Sequence, residues 1–305
     1  MRRNRLNLFL LLVVAVLGVL AWLRPGLEQP PPTRISTLDA AKVQQIRIRH
    51  DDQTRVLERE GDHWRLAGDP PVPADRFQVD TLLGLLAEVA VRSYDLSDLD
   101  TQAVGLEPPV AVIEFDGQPF RFGATEPLEG LRYLQVGQRI HLIDDRYGPL
   151  LRASRAQLAS RRLLPPGTRL SAIILPGQRL ERDAQGHWQL DPPRPALSAD
   201  DIQQFVTAWE EARALWVRSV EDTADAGEAV QLRTASGEGI RFLIRRDDEG
   251  TALLRPALGL AYRLSEATAG ELLTLPQPEH ADRDGDVSPA ASAPADSPPP
   301  GPAQP

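Results

Sequence analysis

The apolar and polar positions of this chain change their period along its length, and each change marks an element. From Leu6 to Leu23 every residue but Asn7 is apolar. As a helix this run rises about 27 Å, close to the roughly 30 Å of a bilayer's hydrocarbon core. Arg2, Arg3 and Arg5 precede it, and Trp22 stands at its far end where an interfacial aromatic belongs. The positive-inside rule then predicts a cytoplasmic tip at residues 1–5, a transmembrane helix at 6–23, and the rest of the chain across the membrane. In a bacterium that is a single-pass inner-membrane protein with a periplasmic body. A cleaved signal peptide is the competing reading. Its apolar core is usually about 7–15 residues before a small-x-small cleavage site. Here the run ends Ala21-Trp22-Leu23-Arg24-Pro25, which fits the anchor better.

Residues 24–34 form a proline-rich spacer, with Gln29-Pro-Pro-Pro32 as its stiff part. Beyond it the period drops to two. Ile46 and Ile48 share one face of a strand with Arg47 and Arg49 on the other, and Trp64 alternates with His63 and Arg65. Helical spacing then appears. Val79, Leu82, Leu83, Leu86 and Ala90 make a stripe behind a candidate N-cap, Asp75. Ile202, Phe205, Val206, Trp209 and Trp216 make a second stripe behind Ser198-x-x-Asp201, a capping box with Asp in place of Glu. Further strands are predicted at 110–115, 119–122, 132–136 and 139–143, and again at 230–234, 240–244, 251–255 and 261–264. Gly117, Gly137, Gly237 and Gly239 sit at the hairpin turns. Short closing helices are expected at 145–151 and 266–273.

These elements repeat in order. Leu57-Glu-Arg-Glu60 with His63-Trp64-Arg-Leu66 recurs as Leu180-Glu-Arg-Asp183 with His187-Trp188-Gln-Leu190, and Val91-Arg-Ser93 recurs as Val217-Arg-Ser219. Two tandem units, 35–160 and 165–275, follow. Each is expected to lay one helix on a twisted antiparallel sheet, an α+β class. Residues 276–305 are dense in proline and small polar residues, a composition that cannot bury enough apolar surface to order itself, so a disordered tail is expected.

Composition narrows the chemistry. The chain has no cysteine, which excludes disulfides, zinc–thiolate sites, iron–sulfur clusters, a thiol nucleophile and an acylated-Cys anchor. A formal net charge of −9 argues against a nucleic-acid partner. Lys42 is the one lysine, so lysine chemistry is nearly absent. No P-loop, Gly-x-Ser-x-Gly or Gly-x-Gly-x-x-Gly pattern occurs.

Several residues invite a functional reading, and each has a plainer one. His63 and His187 occupy matching places and His141 lies on another strand, but no helical His or Glu spacing supports a metal site, and the alternation puts His63 and His187 opposite the core. Trp64 and Trp188 read as core rather than as stacking platforms. Asp282-Arg-Asp-Gly-Asp286 fails as a calcium loop, because the sixth and twelfth positions hold Val287 and Ala293. Asp144-Asp145 and Asp247-Asp-Glu249 read as solvated turns. Arg161 and Arg162 read as packing at the boundary of the two units. The expectation is therefore no catalytic residue, no cofactor and no metal, and a protein that is not an enzyme.

The anchor, Leu38-Asp-Ala-Ala-Lys-Val43 leading into Ile46-Arg-Ile48, Leu57-Glu-Arg with Trp64, and the Arg161-Arg-Leu163 junction together resemble a bacterial family called domain of unknown function 4340. The resemblance covers about residues 35–275. It implies no activity and no catalytic residues. Members are often encoded beside ABC-type transporter components of the kind linked to gliding motility. What this implies is an accessory or scaffold subunit of an envelope transport complex, held in the bilayer through residues 6–23 and partnered by a permease or ATPase. The alternative is a periplasmic ligand- or cell-wall-binding module with its site between the two units.

Overall fold

A computed structural model describes residues 34–221 and 226–276, and Val14 besides. The expected transmembrane helix and spacer, and the tail beyond Pro276 with Asp282–Asp286, lie outside the described residues. Among the described residues no helix is long and apolar enough to cross a membrane.

Two antiparallel sheets dominate. The first comprises β1 (Gln45–His50), β2 (Gln53–Glu60), β3 (His63–Leu66), β4 (Val72–Pro73), β5 (Arg92–Asp95), β6 (Ala111–Phe115), β7 (Gln118–Thr125), β8 (Leu131–Val136) and β9 (Arg139–Asp144), in the order β4-β3-β2-β1-β6-β7-β8-β9-β5. The second comprises β10 (Leu170–Leu175), β11 (Gln178–Arg182), β12 (Trp188–Asp191), β13 (Trp216–Ser219), β14 (Ala229–Thr234), β15 (Gly239–Asp247), β16 (Gly250–Arg255) and β17 (Leu260–Arg263), in the order β12-β11-β10-β14-β15-β16-β17-β13. With β4 set aside, the two orders correspond strand for strand. The alternation explains the faces. Ile46, Ile48, Ile113, Phe115, Phe120 and Phe122 point inward and are fully buried. Arg47 and Arg49 point outward and pair across the sheet with Glu114, at 3.3 and 2.6 Å.

Helices cover the inward faces. In α1 (Arg76–Gly84) Asp75 caps the first turn by accepting from the Gln78 amide. The short α2 (Gly148–Arg152) and α3 (Arg155–Leu158) close the first half. In α4 (Ala199–Glu211) Ser198 and Asp201 form the capping box in both directions, and α5 (Glu266–Leu273) ends the described chain. Trp209 on α4 is fully buried, and its indole N–H donates to the Leu272 carbonyl at 3.0 Å.

Both helical stripes run past the helices they predict. The first helix stops at Gly84 and tightens into a 3-10 turn, Leu85–Ala87, so Ala90 lies beyond it. The second stops at Glu211, and Trp216 stands on β13. In both places the chain leaving the helix takes a backbone partner outside it. Glu88 O accepts from Ile35 N at 3.2 Å, and Ala212 O accepts from Leu163 N at 3.1 Å. An inter-strand bond at that point offers the backbone what another helical turn would have offered.

The segment between the halves is itself paired on both sides. Leu158 O accepts from Asp75 N and Ser160 N donates to Pro73 O, both at 2.8 Å, while Ala214 N donates to Arg161 O at 2.7 Å. Isolated bridges Ala74–Ala159 and Arg162–Arg213 accompany them. Residues 158–163 thus form a strap bonded first to the chain entering α1 and then to the chain leaving α4. Leu158, Ala159 and Leu163 of the strap, with Leu164 just beyond it, are buried and belong to one connected cluster with the cores of both sheets.

Candidate functional site

The histidines do not converge. His63, on β3, and His187, in the turn just before β12, are both exposed, and His187 Nδ1 lies 3.8 Å from Asp183. Among the described residues no group of three or more His, Asp or Glu side chains is placed to hold a metal ion.

His141 is different, because it is only 3% exposed on β9 and its Nδ1 lies 2.8 Å from Ser93 Oγ on β5. A hydroxyl at that distance from an imidazole is the contact of a nucleophile with its base. Burial, aided by Arg139, pushes the His141 pKa down to about 4. An imidazole so weakly basic is a poor proton acceptor at neutral pH, and its hydrogen-bond partner here is a hydroxyl rather than a carboxylate. The pair gives buried His141 and half-buried Ser93 a hydrogen-bond partner each. The same place on the second sheet, opposite Ser219, holds Leu260.

Trp64 and Trp188 are half-buried, packed on the core from one side. Each carries an arginine from the neighbouring strand over its ring, Arg59 at 5.9 Å and Arg182 at 4.6 Å. They are the margins of the core rather than its centre, and the arginines that cover them were not evident from the alternation alone.

The acidic pairs do more than face solvent. Asp145 accepts from Arg132 at 2.5 Å, and Asp247 accepts twice from Arg263 at 2.7 and 2.9 Å. Both arginines are themselves buried, so each turn carboxylate balances a guanidinium removed from water. The Arg263 hydrogen bonds hold the Asp247 carboxyl below its ordinary pKa. Arg161 spans the boundary, with its Nε 3.7 Å from Asp75 and Nη1 3.5 Å from the Leu215 carbonyl.

A cleft of about 450 Å³ lies on the outward face of the second sheet. Its floor is a small apolar cluster separate from the main core, Ala252, Leu254 and Ala261, with Leu243 and Val220 packed beside it. Trp216 stands at one side with Arg218 stacked 4.0 Å and Arg263 5.3 Å from its ring. Asp247 and Glu249 also line it. The sequence hid this site because its residues come from β13, β15, β16 and β17, and the only shared signal is the outward parity of small residues on adjacent strands.

The corresponding face of the first sheet is closed. Residues 96–110, between β5 and β6, fold over it. Val104 O accepts from Ala124 N at 2.8 Å, and Leu106 is 3% exposed above Gly123 and Tyr133. Gly123 is required there, since a Cβ at that position would lie 2.4 Å from Val104 O.

No curated protein and no solved structure matches the chain. Residues 64–234, more than half of its length and reaching across both sheets, match the family model described as a domain of unknown function, DUF4340, and the chain belongs to that family.

Proposed function

We propose that the protein is a membrane-anchored, non-enzymatic accessory or scaffold component of an envelope transport complex, with its two-sheet body outside the cytoplasm. The observation that carries this reading is the strap. Backbone bonds on both sides of residues 158–163, over one connected core, fix the two sheets relative to each other. A body built this way presents outer edges and faces in constant geometry, which is what a docking platform needs. The anchor at 6–23 would tether it beside a permease, and the family resemblance points to ABC-type partners.

The reading is tested by purifying the tagged full-length chain from its native membranes in mild detergent and weighing the intact assembly. A permease or ATPase subunit in fixed stoichiometry, lost when residues 35–275 are deleted, is expected. A homogeneous chain with no other subunit would overturn it.

A second reading, a periplasmic ligand- or cell-wall-binding module, draws on the outer cleft rather than on the boundary of the units. The concavity at the boundary, lined by Pro73, Ser160, Arg162 and Tyr262 among others, measures about 10 Å³, no more than the room for a single water.

A further inference from the structure

The edges of the sheets are β4 and β5 on the first and β12 and β13 on the second. The strap bonds to Pro73 on β4, and α3 packs against β13. The entering chain at Arg34 and Ile35 pairs with residues 88–89, just ahead of β5. Along the outer side of β12 no described residue pairs. The turn before β12 sets its bonding phase. Asp183 N donates to His187 O at 2.8 Å, so His187, Gln189 and Asp191 bond toward β11, and Trp188 and Leu190 turn their amides and carbonyls to the open side. Trp64 and Leu66 stand in the same phase on β3, where β4 meets them and Ala74 N donates to Trp64 O at 2.9 Å. Val72, which follows Pro70-Pro71, is 1% exposed and holds that chain against the first sheet. After Pro192-Pro193 the matching residue is Arg194, and residues 192–196 are all exposed.

We propose that β12 pairs antiparallel with β12 of a second copy of this chain, about a two-fold axis at Gln189, so that the second sheets of two copies become one. The open backbone groups select this register. With Trp188 opposite Leu190 of the second copy, every amide and carbonyl that the two residues turn outward finds a partner. An axis at Trp188 would bring Leu190 against Gly186, whose amide already donates to Asp183 O at 3.0 Å and whose carbonyl accepts from Arg182 at 2.8 Å. An axis at Leu190 would bring Trp188 against Pro192, which has no amide. The side chains agree with the register. Trp188 and Leu190, half-buried at the margin of the core, meet each other across the axis on the inward side. On the outward side the Asp191 carboxylate meets the exposed imidazole of His187, and Gln189 meets its own copy. A contact of this kind is self-complementary and closes at two chains.

This pairing lies on the second sheet and forms with or without a transport partner. A pure dimer would support it while overturning the accessory-subunit reading. The full-length chain in mild detergent is weighed over a range of concentrations, and a dimer is expected. Gln189→Cys places the only thiol of a cysteine-free chain on the axis. The two Cα atoms of such a non-hydrogen-bonded pair lie about 4.5 Å apart, within reach of a disulfide. Copper-catalysed air oxidation is expected to join this variant about ten-fold faster than Gln185→Cys, whose thiol sits in the exposed turn before β12. Leu190→Pro removes an amide that β11 does not use and is expected to weaken the dimer about ten-fold. Gln189→Arg sets two guanidinium groups opposite each other without touching the core, and it is expected to weaken the dimer too. Unchanged melting curves establish that each variant is folded. A monomer at every concentration, equal oxidation of the two thiols, or a dimer indifferent to Leu190→Pro and Gln189→Arg would overturn the proposal. Assemblies that keep growing with concentration would also overturn it, because β12 would then be pairing with a different edge, such as β5.

Discussion

The outward face of the first sheet is closed by main chain, whereas that of the second carries side chains around an open cleft. Residues 96–110 give up the conformational freedom of a whole loop and offset part of that loss by burying Leu106, Leu131, Ile140 and Leu142. The second sheet covers its floor with Trp216, Arg218 and Arg263, which order only side chains and leave room above them. Strand order agrees between the halves once β4 is set aside, and apart from places such as His141 against Leu260 the clearest difference lies on the solvent side. In a pair of units built alike, the inward face is held by packing against a shared core, and the outward face is free to acquire separate uses.

The comparison can be broken most severely at Leu106. Leu106→Ala empties a closed apolar site and is expected to cost about 2–5 kcal/mol. Urea denaturation gives the loss, and amide exchange should quicken at residues 100–110 while the second sheet stays protected. A loss under about 1 kcal/mol would mean that the loop merely rests on the sheet.

The next effect depends on pH. The folded His141 pKa, about 4, lies below its ordinary value of 6.5, so the unfolded chain takes up the proton first as pH falls. The stability this histidine contributes is complete above about pH 6.5 and is lost progressively down to about pH 4, by at most about 3 kcal/mol. The pair Ser93→Ala with His141→Leu moves the first sheet toward the second, which has Leu260 there. It is expected to flatten the dependence of the urea midpoint between pH 7 and 4.5. A slope equal to the parent's would place the acid sensitivity elsewhere.

The smallest effect concerns the covering of the second sheet. Trp216→Ala removes a half-buried ring and two arginine contacts, which is expected to cost about 1–2 kcal/mol at the thermal midpoint. A cost as large as that of Leu106→Ala would mean that side chains close a face as firmly as main chain does.

Much of this architecture was written in local pattern. The capping box at Ser198–Asp201 and the cap at Asp75 start helices where expected, and the turns at Gly117, Gly137 and Gly237 take the left-handed backbone that glycine allows. The repeated motifs fall on corresponding strands of two like-ordered sheets. Helix ends were misjudged where a strap residue competes for the backbone, as at Ala212, because the competitor lies some fifty positions away in sequence. The role of Leu106 was also hidden. One leucine beside Pro108 and Pro109 has no periodicity, and only Gly123, far along the chain, betrays that something approaches closely. The cleft shares that obscurity, since four strands contribute to it and none of them carries a motif of its own.

The strap also sets an order of completion for a chain that emerges from its N-terminus. The amide of Asp75, at the head of α1, waits for the carbonyl of Leu158. More than eighty residues must therefore appear before the first helix has its backbone fully satisfied. When Leu158 arrives, Arg161 and Leu163 still present an unpaired edge until residues 212–214 follow. The first half thus finishes by displaying the template on which the second is laid down. Synthesis from the N-terminus favours this sequence of events, because the half that must be ready first is the half that appears first.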